Sequence, residues 1–427
     1  MEQQAQDTER DYFTDLSVLR DPYEYFESIR ERGGVFRSTL RNLVVVTGFE
    51  ESVEVLRNTE DFSSANAPQG PAVPLPFTPE GDNITDQIEA HRGEFLGGDL
   101  LVAYDGQQHK FSRSILNKLF TPSRLKANEE FIQSYSAQLI DEMVAKGGCE
   151  LINEVATPFV TLVIADLLGV PADDREHFRE VIDNAPPPGN MEADAPPSFD
   201  ENSPLVVMGT YFFQYVMDRR ENPREDILSE LSNATYPDGS TPDALEIVRL
   251  ATFLFGAGQD TSAKLLGNSI RRLAEDHALQ DELRADPRLI PAFIEEVLRM
   301  EGSTKMTARL AVRDTSIAGL PVAAGTPVMI AVAAANRDPK RWENPEAFDM
   351  QRPRLREHLA FGRGAHTCAG APLARVEVRI LLEHLLAKTS RISLDEAHHG
   401  PQGARELDYE PSFIIRGLSK LHLVLAP

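Results

Sequence analysis

Apolar residues recur at three- and four-residue spacing through most of the chain, which is the pattern of amphipathic helices. This spacing predicts helices over four long segments, most of which end at Gly or Pro: 107–120, 122–148, 151–170 and 203–220. The stretch GVFRSTLRNLVVVTGF, residues 34–49, instead predicts two short strands around a turn, with Val44–Val46 buried. The pattern predicts a mainly α-helical protein with a small β portion.

The longest predicted helix runs from about Pro242 to beyond Leu273 and is apolar on nearly all sides between Leu250 and Phe255. A helix that is hydrophobic all round is buried, so we expect this one to cross the interior. Its centre nevertheless reads GAGQDTS, residues 256–262, and those residue types cost stability within a helix. We interpret this centre as a functional feature.

Two stretches lack helical periodicity and are predicted to be long loops, residues 66–104 and 184–204. Long loops in compact proteins are often lids over a site. Neither loop separates regions of different composition, and we found no internal repeat. We therefore expect a single domain over residues 1–427, with residues 1–10 forming a flexible end.

Charge and cysteine content narrow the class of protein. Lys and Arg total 43 against 67 Asp and Glu, and the formal charge of −24 disfavours nucleic acid and anionic membranes as partners. The two cysteines, Cys149 and Cys368, cannot form a disulfide scaffold. No signal peptide and no run of eighteen apolar residues is visible, so we expect a cytoplasmic protein without a membrane span.

The stretch FGRGAHTCAG, residues 361–370, places Cys368 among glycines, an arginine and a histidine. A zinc site would need more ligands, and His366 two residues before the cysteine is a poor match to the usual spacing. A nucleophilic cysteine would need a base that the sequence does not reveal. In a haem-thiolate loop, the glycines would let the backbone approach the iron closely, and the arginine and the histidine would bind the haem propionates. An incidental cysteine in a Gly-rich turn also stays open.

The extended stretch FGRGAHTCAGAPLAR, residues 361–375, resembles the haem-binding signature of the cytochrome P450 family, in its soluble bacterial form. The resemblance implies the cytochrome P450 fold, with haem b held between a long central helix and a proximal Cys loop. It also implies that Cys368 is the metal ligand. The other signature residues implied to contact the cofactor are Phe361, His366 and Gly370.

Two further motifs occur in the order typical of the family. AGQDT, residues 257–261, resembles its oxygen-activation motif, which implies that Ala257 lies against the haem and that Asp260 and Thr261 organise proton delivery. In EEVLR, Glu296 and Arg299 share a helix face. The resemblance implies that Arg352 joins this pair to hold the platform of the Cys loop.

The family resemblance also suggests residues for the propionates and for the substrate. His109 and Arg113, four residues apart, share one helix face, and Arg309 lies on a predicted strand. With His366 these residues would form an anion clamp. The implied substrate pocket, covered by the two predicted loops, is lined by Phe253, Ala257, Thr307, Phe413 and Ile414.

The implied function is a haem-thiolate monooxygenase that inserts one oxygen atom from O2 into a hydrophobic small molecule. The alternative is a haem-thiolate ligand-binding or sensor protein, but the retained Asp and Thr favour the monooxygenase. No flavin or iron–sulfur domain is appended, so we expect electrons from a ferredoxin or flavodoxin with its reductase. The sequence also predicts a basic docking face for this partner. Between Met350 and Arg379 there are six arginines but only two glutamates, and Lys110 and Lys118 add further positive charge. The sequence does not select the substrate.

Overall fold

The computed structural model describes residues 10–183 and 204–427. The helices within these ranges are α1 (Leu16–Arg20), α2 (Tyr23–Arg30), α3 (Phe49–Arg57), α4 (Thr85–Ala90), α5 (Gly106–Leu119), α6 (Pro122–Lys146), α7 (Thr157–Leu168), α8 (Ala172–Asp183), α9 (Pro204–Glu221), α10 (Ile227–Ser232), α11 (Ala244–Glu275), α12 (His277–Ala285), α13 (Ile290–Glu301), α14 (Val332–Ala335), α15 (Ala371–Lys388) and α16 (Glu396–His399). The strands are β1 (Val35–Arg37), β2 (Val44–Val46), β3 (Phe62–Ser63), β4 (Gly148–Glu150), β5 (Thr307–Ala311), β6 (Thr315–Ile317), β7 (Leu320–Val322), β8 (Pro327–Ile330), β9 (Arg391–Leu394) and β10 (His422–Ala426). The predicted helical architecture with a small β portion is confirmed.

Local signals set the ends of the helices that apolar spacing predicts. α6 begins after Thr121, whose hydroxyl accepts a hydrogen bond from the backbone N–H of Arg124, and Pro122 occupies the first turn. The segment predicted over 151–170 opens with a π-helical turn, Ile152–Ala156, and continues as α7. No helix in the described ranges is both long and apolar enough to cross a membrane.

The main sheet has the strand order β1-β2-β8-β5-β3. β1 and β2 pair antiparallel with Val35 opposite Val46, which confirms the predicted strand pair. β8 runs parallel to β2 and antiparallel to β5, with Arg309 of β5 opposite Val328. The sheet thereby fixes the position of the backbone that carries Arg309. A second sheet has the order β4-β10-β9.

Helix α11 is the central element of the fold. Its 32 residues span about 48 Å at ~1.5 Å per residue. Its second half, from Ser262 to Ala274, is almost entirely buried, and it packs against α7, α9, α13 and α15. The predicted helix across the interior is confirmed, and it brings GAGQDTS to the middle of the molecule.

The prediction that residues 66–104 form one long loop is wrong in its second half. That half contains α4 and two 3₁₀ turns, Arg92–Glu94 and Leu101–Ala103. A six-residue helix anchored by the buried side chain of Ile88 is too short for apolar spacing to reveal it. The second predicted loop, 184–204, lies outside the described residues except for Pro204, which begins α9, and residues 1–9 also lie outside them.

Candidate active site

A cavity of about 350 Å³ lies between α11 and the loop that carries Cys368. Its walls come from α5, α7, α11, β5, the segment before Cys368 and the first turns of α15. Its volume falls within the range of small-molecule sites. The sequence-predicted residues in these walls are His109, Arg113, Phe253, Ala257, Thr261, Thr307, Arg309, Phe361, His366, Cys368 and Gly370. Tertiary folding therefore brings residues that are distant in the sequence to one site.

The 361–370 loop is shaped by backbone contacts. The backbone N–H of Cys368 donates to the carbonyl of Phe361 at 2.9 Å, which closes the loop on itself. Gly364 has φ 76°, and a Cβ there would lie 2.5 Å from the carbonyl oxygen of Leu56 at the end of α3. Both the left-handed backbone and the close approach require glycine. Gly364 therefore lets the loop dock on α3.

Cys368 lines the cavity, and its surface is exposed there. Burial raises the pKa of this thiol, while the backbone N–H groups of Gly370 and Ala371 and the guanidinium of Arg113 act in the opposite direction. These donors stabilise a thiolate more than a thiol. The sulfur is therefore placed to act as a ligand to a cation inside the cavity.

Four groups of the predicted anion clamp lie together on the cavity wall. Arg113 donates to the carbonyl of Thr367 at 2.6 Å, and Arg309 donates to the carbonyl of Ala308 at 2.7 Å. The rings of His109 and His366 are 4.0 Å apart, centroid to centroid. Burial first, and then the nearby arginines, lower the pKa of both histidines well below the usual range. Before any anion binds, the positive charge of the clamp therefore resides on the two arginines.

The α11 wall is formed by one face of the GAGQDTS segment. Ala257, Gly258 and Thr261 line the cavity, and the Thr261 hydroxyl donates to the carbonyl of Ala257 at 2.9 Å. A Cβ on Gly258 would lie 2.6 Å from the Cδ1 of Ile164 on α7. Glycine at this position therefore allows α7 and α11 to approach closely beside the cavity.

Asp260 does not line the cavity, although Thr261 next to it does. Its carboxylate is 3.0 Å from the Nζ of Lys264, which also lies 2.7 Å from a carboxylate oxygen of Glu410. Lys264 is buried, whereas the Asp260 side chain is 40% exposed. The structure thus places the acid of the predicted pair on the solvent side of α11 and the alcohol on the cavity side.

Phe413 and Ile414 do not line the described cavity, contrary to the substrate-pocket prediction. Phe413 is 1% exposed, and its ring lies 5.6 Å from that of Phe13. The Tyr12 hydroxyl donates to the Phe413 carbonyl at 2.7 Å, and Ile414 packs against the same apolar cluster. Aromatic residues near the N-terminus cover this segment, and no local pattern could have shown that pairing.

The structure brings Arg352 to the pair formed by Glu296 and Arg299. Two nitrogens of Arg299 lie 2.7 and 2.8 Å from the Glu296 carboxylate, and the Nε of Arg352 lies 3.0 Å from it. All three side chains are buried. Arg299 and Arg352 also donate to the carbonyl of Ala347. The triad therefore ties α13 to the segment that precedes the Cys368 loop.

Sequence reasoning missed a second carboxylate cluster beside the triad. Glu295 is 2.5 Å from Arg375 and 3.0 Å from the Nε2 of His358, and these partners lower its pKa to about 2 against the effect of burial. Arg375 lies 4.6 Å from the ring centroid of Phe361, the first residue of the loop. In the sequence, this cluster was indicated by Glu295, the first acid of EEVLR, which stands directly before Glu296.

Comparison with known proteins decides the family. The cytochrome P450 family model matches residues 212–394. Over 372 residues the chain is 34% identical to cytochrome P450(BM-1) of Priestia megaterium, covering 87% of each protein. The chain belongs to the cytochrome P450 family. It is 46% identical to a substrate-free cytochrome P450 structure from Mycobacterium marinum, with a TM-score of 0.91 over 98% of this chain and 99% of that one.

A cytochrome P450 of Bacillus megaterium, solved in complex with corticosterone, is 27% identical and has a TM-score of 0.78. That comparison covers 96% of this chain and 99% of the other. The predicted family, fold, haem cofactor and monooxygenase class are confirmed.

The residues of the cavity fit a haem. Arg113 and Arg309 have no carboxylate within 4.0 Å among residues 10–183 and 204–427, although Arg309 is only 4% exposed. Burial lowers the pKa of Arg309 to about 10, and the charge of Asp105 offsets this effect only in part. Two such cations can bind a group that carries two negative charges, and the Cys368 sulfur can act as a ligand to iron. The donor set therefore matches a haem that carries two propionates.

Proposed function

We propose that this cytochrome P450 inserts one oxygen atom of O2 into an uncharged, hydrophobic small molecule, using electrons from a separate protein. The observation that carries the substrate class is the cavity wall contributed by α7 and α11. Apart from the hydroxyls of Thr261 and Ser262, its side chains are apolar, among them Ile164, Leu167, Phe253 and Leu254. Burying an apolar ligand against such a wall is favourable, whereas a charged ligand would lose its hydration without a partner.

The haem, when bound, supplies reductive activation of O2, and thiolate donation from Cys368 favours cleavage of the O–O bond. The role of the chain is to bind the substrate, exclude water and deliver protons. Thr261 presents its hydroxyl oxygen at the cavity wall because its own proton is donated to Ala257. We assign it to hold a proton-donating group there. We assign Asp260, which is 40% exposed and pairs with Lys264, to connect this position with solvent water.

The substrate class is tested by comparing matched ligands that differ in charge. We expect corticosterone 21-acetate and methyl laurate to shift the haem Soret band on binding. Corticosterone 21-hemisuccinate and laurate should bind at least tenfold more weakly, because the wall offers no partner for a carboxylate. Equal or tighter binding of the charged member of each pair would contradict an uncharged substrate.

Thr261→Ala should uncouple electron use from product formation. Substrate binding and O2 consumption persist, while product per electron falls severalfold and hydrogen peroxide rises, because the hydroxyl that steadies proton delivery is lost. Product, peroxide and O2 uptake are measured together and normalised to bound haem.

Thr161→Ala is the matched control for the Thr261 experiment. Thr161 is buried on α7 and makes the same hydroxyl-to-carbonyl bond one turn back, to Thr157 at 2.7 Å, without lining the cavity. Unchanged coupling in Thr261→Ala, or equal uncoupling in Thr161→Ala, would rule out the assigned role.

We also propose that the chain acts as one domain, since the cavity needs residues from α5 through α15. The expected docking face for a ferredoxin or flavodoxin is smaller than the arginine count suggests. Four of the six arginines pair with carboxylates: Arg352 with Glu296, Arg356 and Arg375 with Glu295, and Arg379 with Glu129 and Glu383. Arg354, Arg356 and Lys110 are exposed around the Cys368 loop, and Arg363 is half-buried.

Lys110→Glu and Arg356→Glu should slow reduction by an acidic ferredoxin severalfold at low ionic strength, because they place like charges at the interface. The wild-type rate should fall steeply with added salt. Lys388→Glu is the control, because Lys388 ends α15 about 26 Å along the helix from the Cys368 loop. Reduction that is insensitive to salt and to both substitutions would place the docking face elsewhere.

A further inference from the structure

Two side chains of the predicted 66–104 loop belong to the cavity wall, those of Leu101 and Val102. They lie on the 3₁₀ turn Leu101–Ala103, just before α5 begins at Gly106. Within the described chain, no other residue of 66–104 lines the cavity. The placement of this one turn therefore decides how the loop meets a molecule that is bound in the cavity.

Residues 92–104 form a compact segment that is held by its own backbone. Turn hydrogen bonds join backbone groups three residues apart through residues 95–104. The guanidinium of Arg92 donates to the carbonyl of Ala103 at 2.8 Å, which closes the segment end to end. A Cβ on Gly98 would clash with the carbonyl oxygen of Arg92, so this closure requires glycine. These bonds fix the shape of the segment but not its position relative to α11.

Two polar contacts join the 92–104 segment to the first turns of α11. The carboxylate of Asp99 lies 2.9 Å from the Nε of Arg249. The hydroxyl of Tyr104, a buried residue, donates to the carbonyl of Asp99 at 2.7 Å and lies 3.3 Å from a carboxylate oxygen of Glu246. Glu246 and Arg249 are three residues apart, so α11 makes both contacts from one face.

Glu246 connects this segment to α5 as well. The hydroxyl of Ser112, a buried residue next to Arg113, donates to the other carboxylate oxygen of Glu246 at 2.5 Å. Burial first, and then the charge of Glu246, raise the pKa of Tyr104, so its hydroxyl keeps the proton that it donates. One carboxylate thus joins the segment, the helix of the anion clamp and the start of α11.

Apolar packing holds the same segment against the protein but does not select its orientation. Leu101 and Tyr104 pack in the apolar cluster that contains Ile247 and Leu250 of α11. The hydrophobic effect is non-directional, whereas hydrogen bonds have preferred distances and angles. The polar contacts with α11 therefore decide in which position the turn that carries Leu101 and Val102 is held.

We propose that Tyr104, Glu246 and the Asp99–Arg249 ion pair are positioning residues for substrate binding, which hold the 92–104 segment against a molecule in the cavity. The inference rests on the proposed function, because it takes the cavity as the substrate site. The side chains of Arg249 and Asp99 are 44% and 54% exposed, so water and salt weaken their attraction. The retention of a bulky ligand therefore depends on a contact at the protein surface.

The ion pair is tested by charge exchange in the holoenzyme, with two probes that both coordinate haem iron. Clotrimazole carries three aryl rings that fill an apolar cavity, whereas imidazole needs only the iron. Asp99→Arg and Arg249→Asp should each speed clotrimazole dissociation about fivefold, and the double variant should return to the wild-type rate. Imidazole should dissociate at one rate from all four proteins. Dissociation is measured by the appearance of the ferrous carbon monoxide complex.

Asp141→Arg is the matched control for the charge exchange. Asp141 pairs with Lys388 at 2.8 Å, their side chains are 59% and 54% exposed, and neither residue lines the cavity. We expect this variant to release clotrimazole at the wild-type rate. Wild-type rates in both single variants at the Asp99–Arg249 pair, or a double variant as fast as the single ones, would overturn the proposal.

Tyr104→Phe tests the buried part of the connection. The ring keeps its apolar packing, while the contacts of the hydroxyl with Asp99 and Glu246 are lost. We expect clotrimazole to dissociate severalfold faster, with wild-type haem content and imidazole binding. Glu246→Gln keeps an acceptor for Tyr104 and should have a smaller effect than Glu246→Ala. Clotrimazole dissociation from Tyr104→Phe at the wild-type rate would contradict the role assigned to this hydroxyl.

Salt supplies a readout that a merely structural role would not move. Raising the ionic strength from ~0.01 to ~1 M shortens the screening length from ~30 to ~3 Å and should speed clotrimazole dissociation from wild type. The neutral double variant Asp99→Asn, Arg249→Gln should release clotrimazole faster at low salt and respond less to added salt. An equal response in the two proteins would overturn the proposal.

Failure of this inference can be distinguished from failure of the proposed function. Clotrimazole reports on the 92–104 segment whether or not the protein oxidises a given substrate. If wild type binds neither corticosterone 21-acetate nor methyl laurate while the clotrimazole rates differ as expected, the proposed substrate class is wrong and the positioning role stands. If both compounds bind and the clotrimazole rates are all equal, the positioning role alone is wrong.

Discussion

Replacing Cys368 by serine is expected to abolish the red-shifted Soret band of the ferrous carbon monoxide complex and all monooxygenase activity. The sulfur faces the cavity, and two backbone N–H groups and Arg113 stabilise its thiolate form. A serine oxygen cannot supply the electron donation that favours O–O cleavage. The measurements are haem content, the carbon monoxide spectrum and product formation.

Cys149→Ser is the matched control, because Cys149 is the other cysteine of the chain. It lies on β4, outside the cavity wall, and burial raises the pKa of its thiol to about 12. We expect this variant to keep the wild-type spectrum and activity. A thiolate-type spectrum that survives in Cys368→Ser would refute the assignment of the ligand.

Glu296→Gln is expected to lower the free energy of unfolding by about 3–5 kcal/mol and to reduce haem retention. Removing the carboxylate leaves Arg299 and Arg352 buried without their shared anion, and a buried charge that has lost its partner is strongly destabilising. The same change loosens the connection between α13 and the segment before the Cys368 loop. Denaturant unfolding and haem loss to apomyoglobin provide the two measurements.

Asp286→Asn tests the importance of burial for this effect. Asp286 accepts two hydrogen bonds from Arg288, at 2.7 and 2.8 Å, but the Arg288 side chain is 90% exposed. Solvent screens such a pair, so we expect no measurable change in stability or haem retention. Similar losses in both variants would mean that the Glu296 triad contributes no more than a surface ion pair.

Features carried by contiguous residues could be predicted from the sequence. The helices follow from apolar spacing, because burial of one face is a local pattern with a period near 3.6 residues. The Cys368 loop could be predicted because its glycines, its cations and its cysteine lie within ten residues. The pairing of Glu296 with Arg299 could be predicted because i, i+3 spacing places both residues on one helix face. Each of these signals is complete within one element.

The sequence by itself thus determined the helical class, the family and the cavity residues that lie within its motifs. Only the tertiary structure decided that Asp260 turns towards Lys264 and Glu410, that Phe413 is covered by residues near the N-terminus, and that four arginines of the expected docking face pair with carboxylates. It also decided that Glu377 is left in the cavity wall without a hydrogen-bond partner in the described chain. The physical reason is that charge pairing and burial depend on contacts between residues distant in sequence, which no local pattern records.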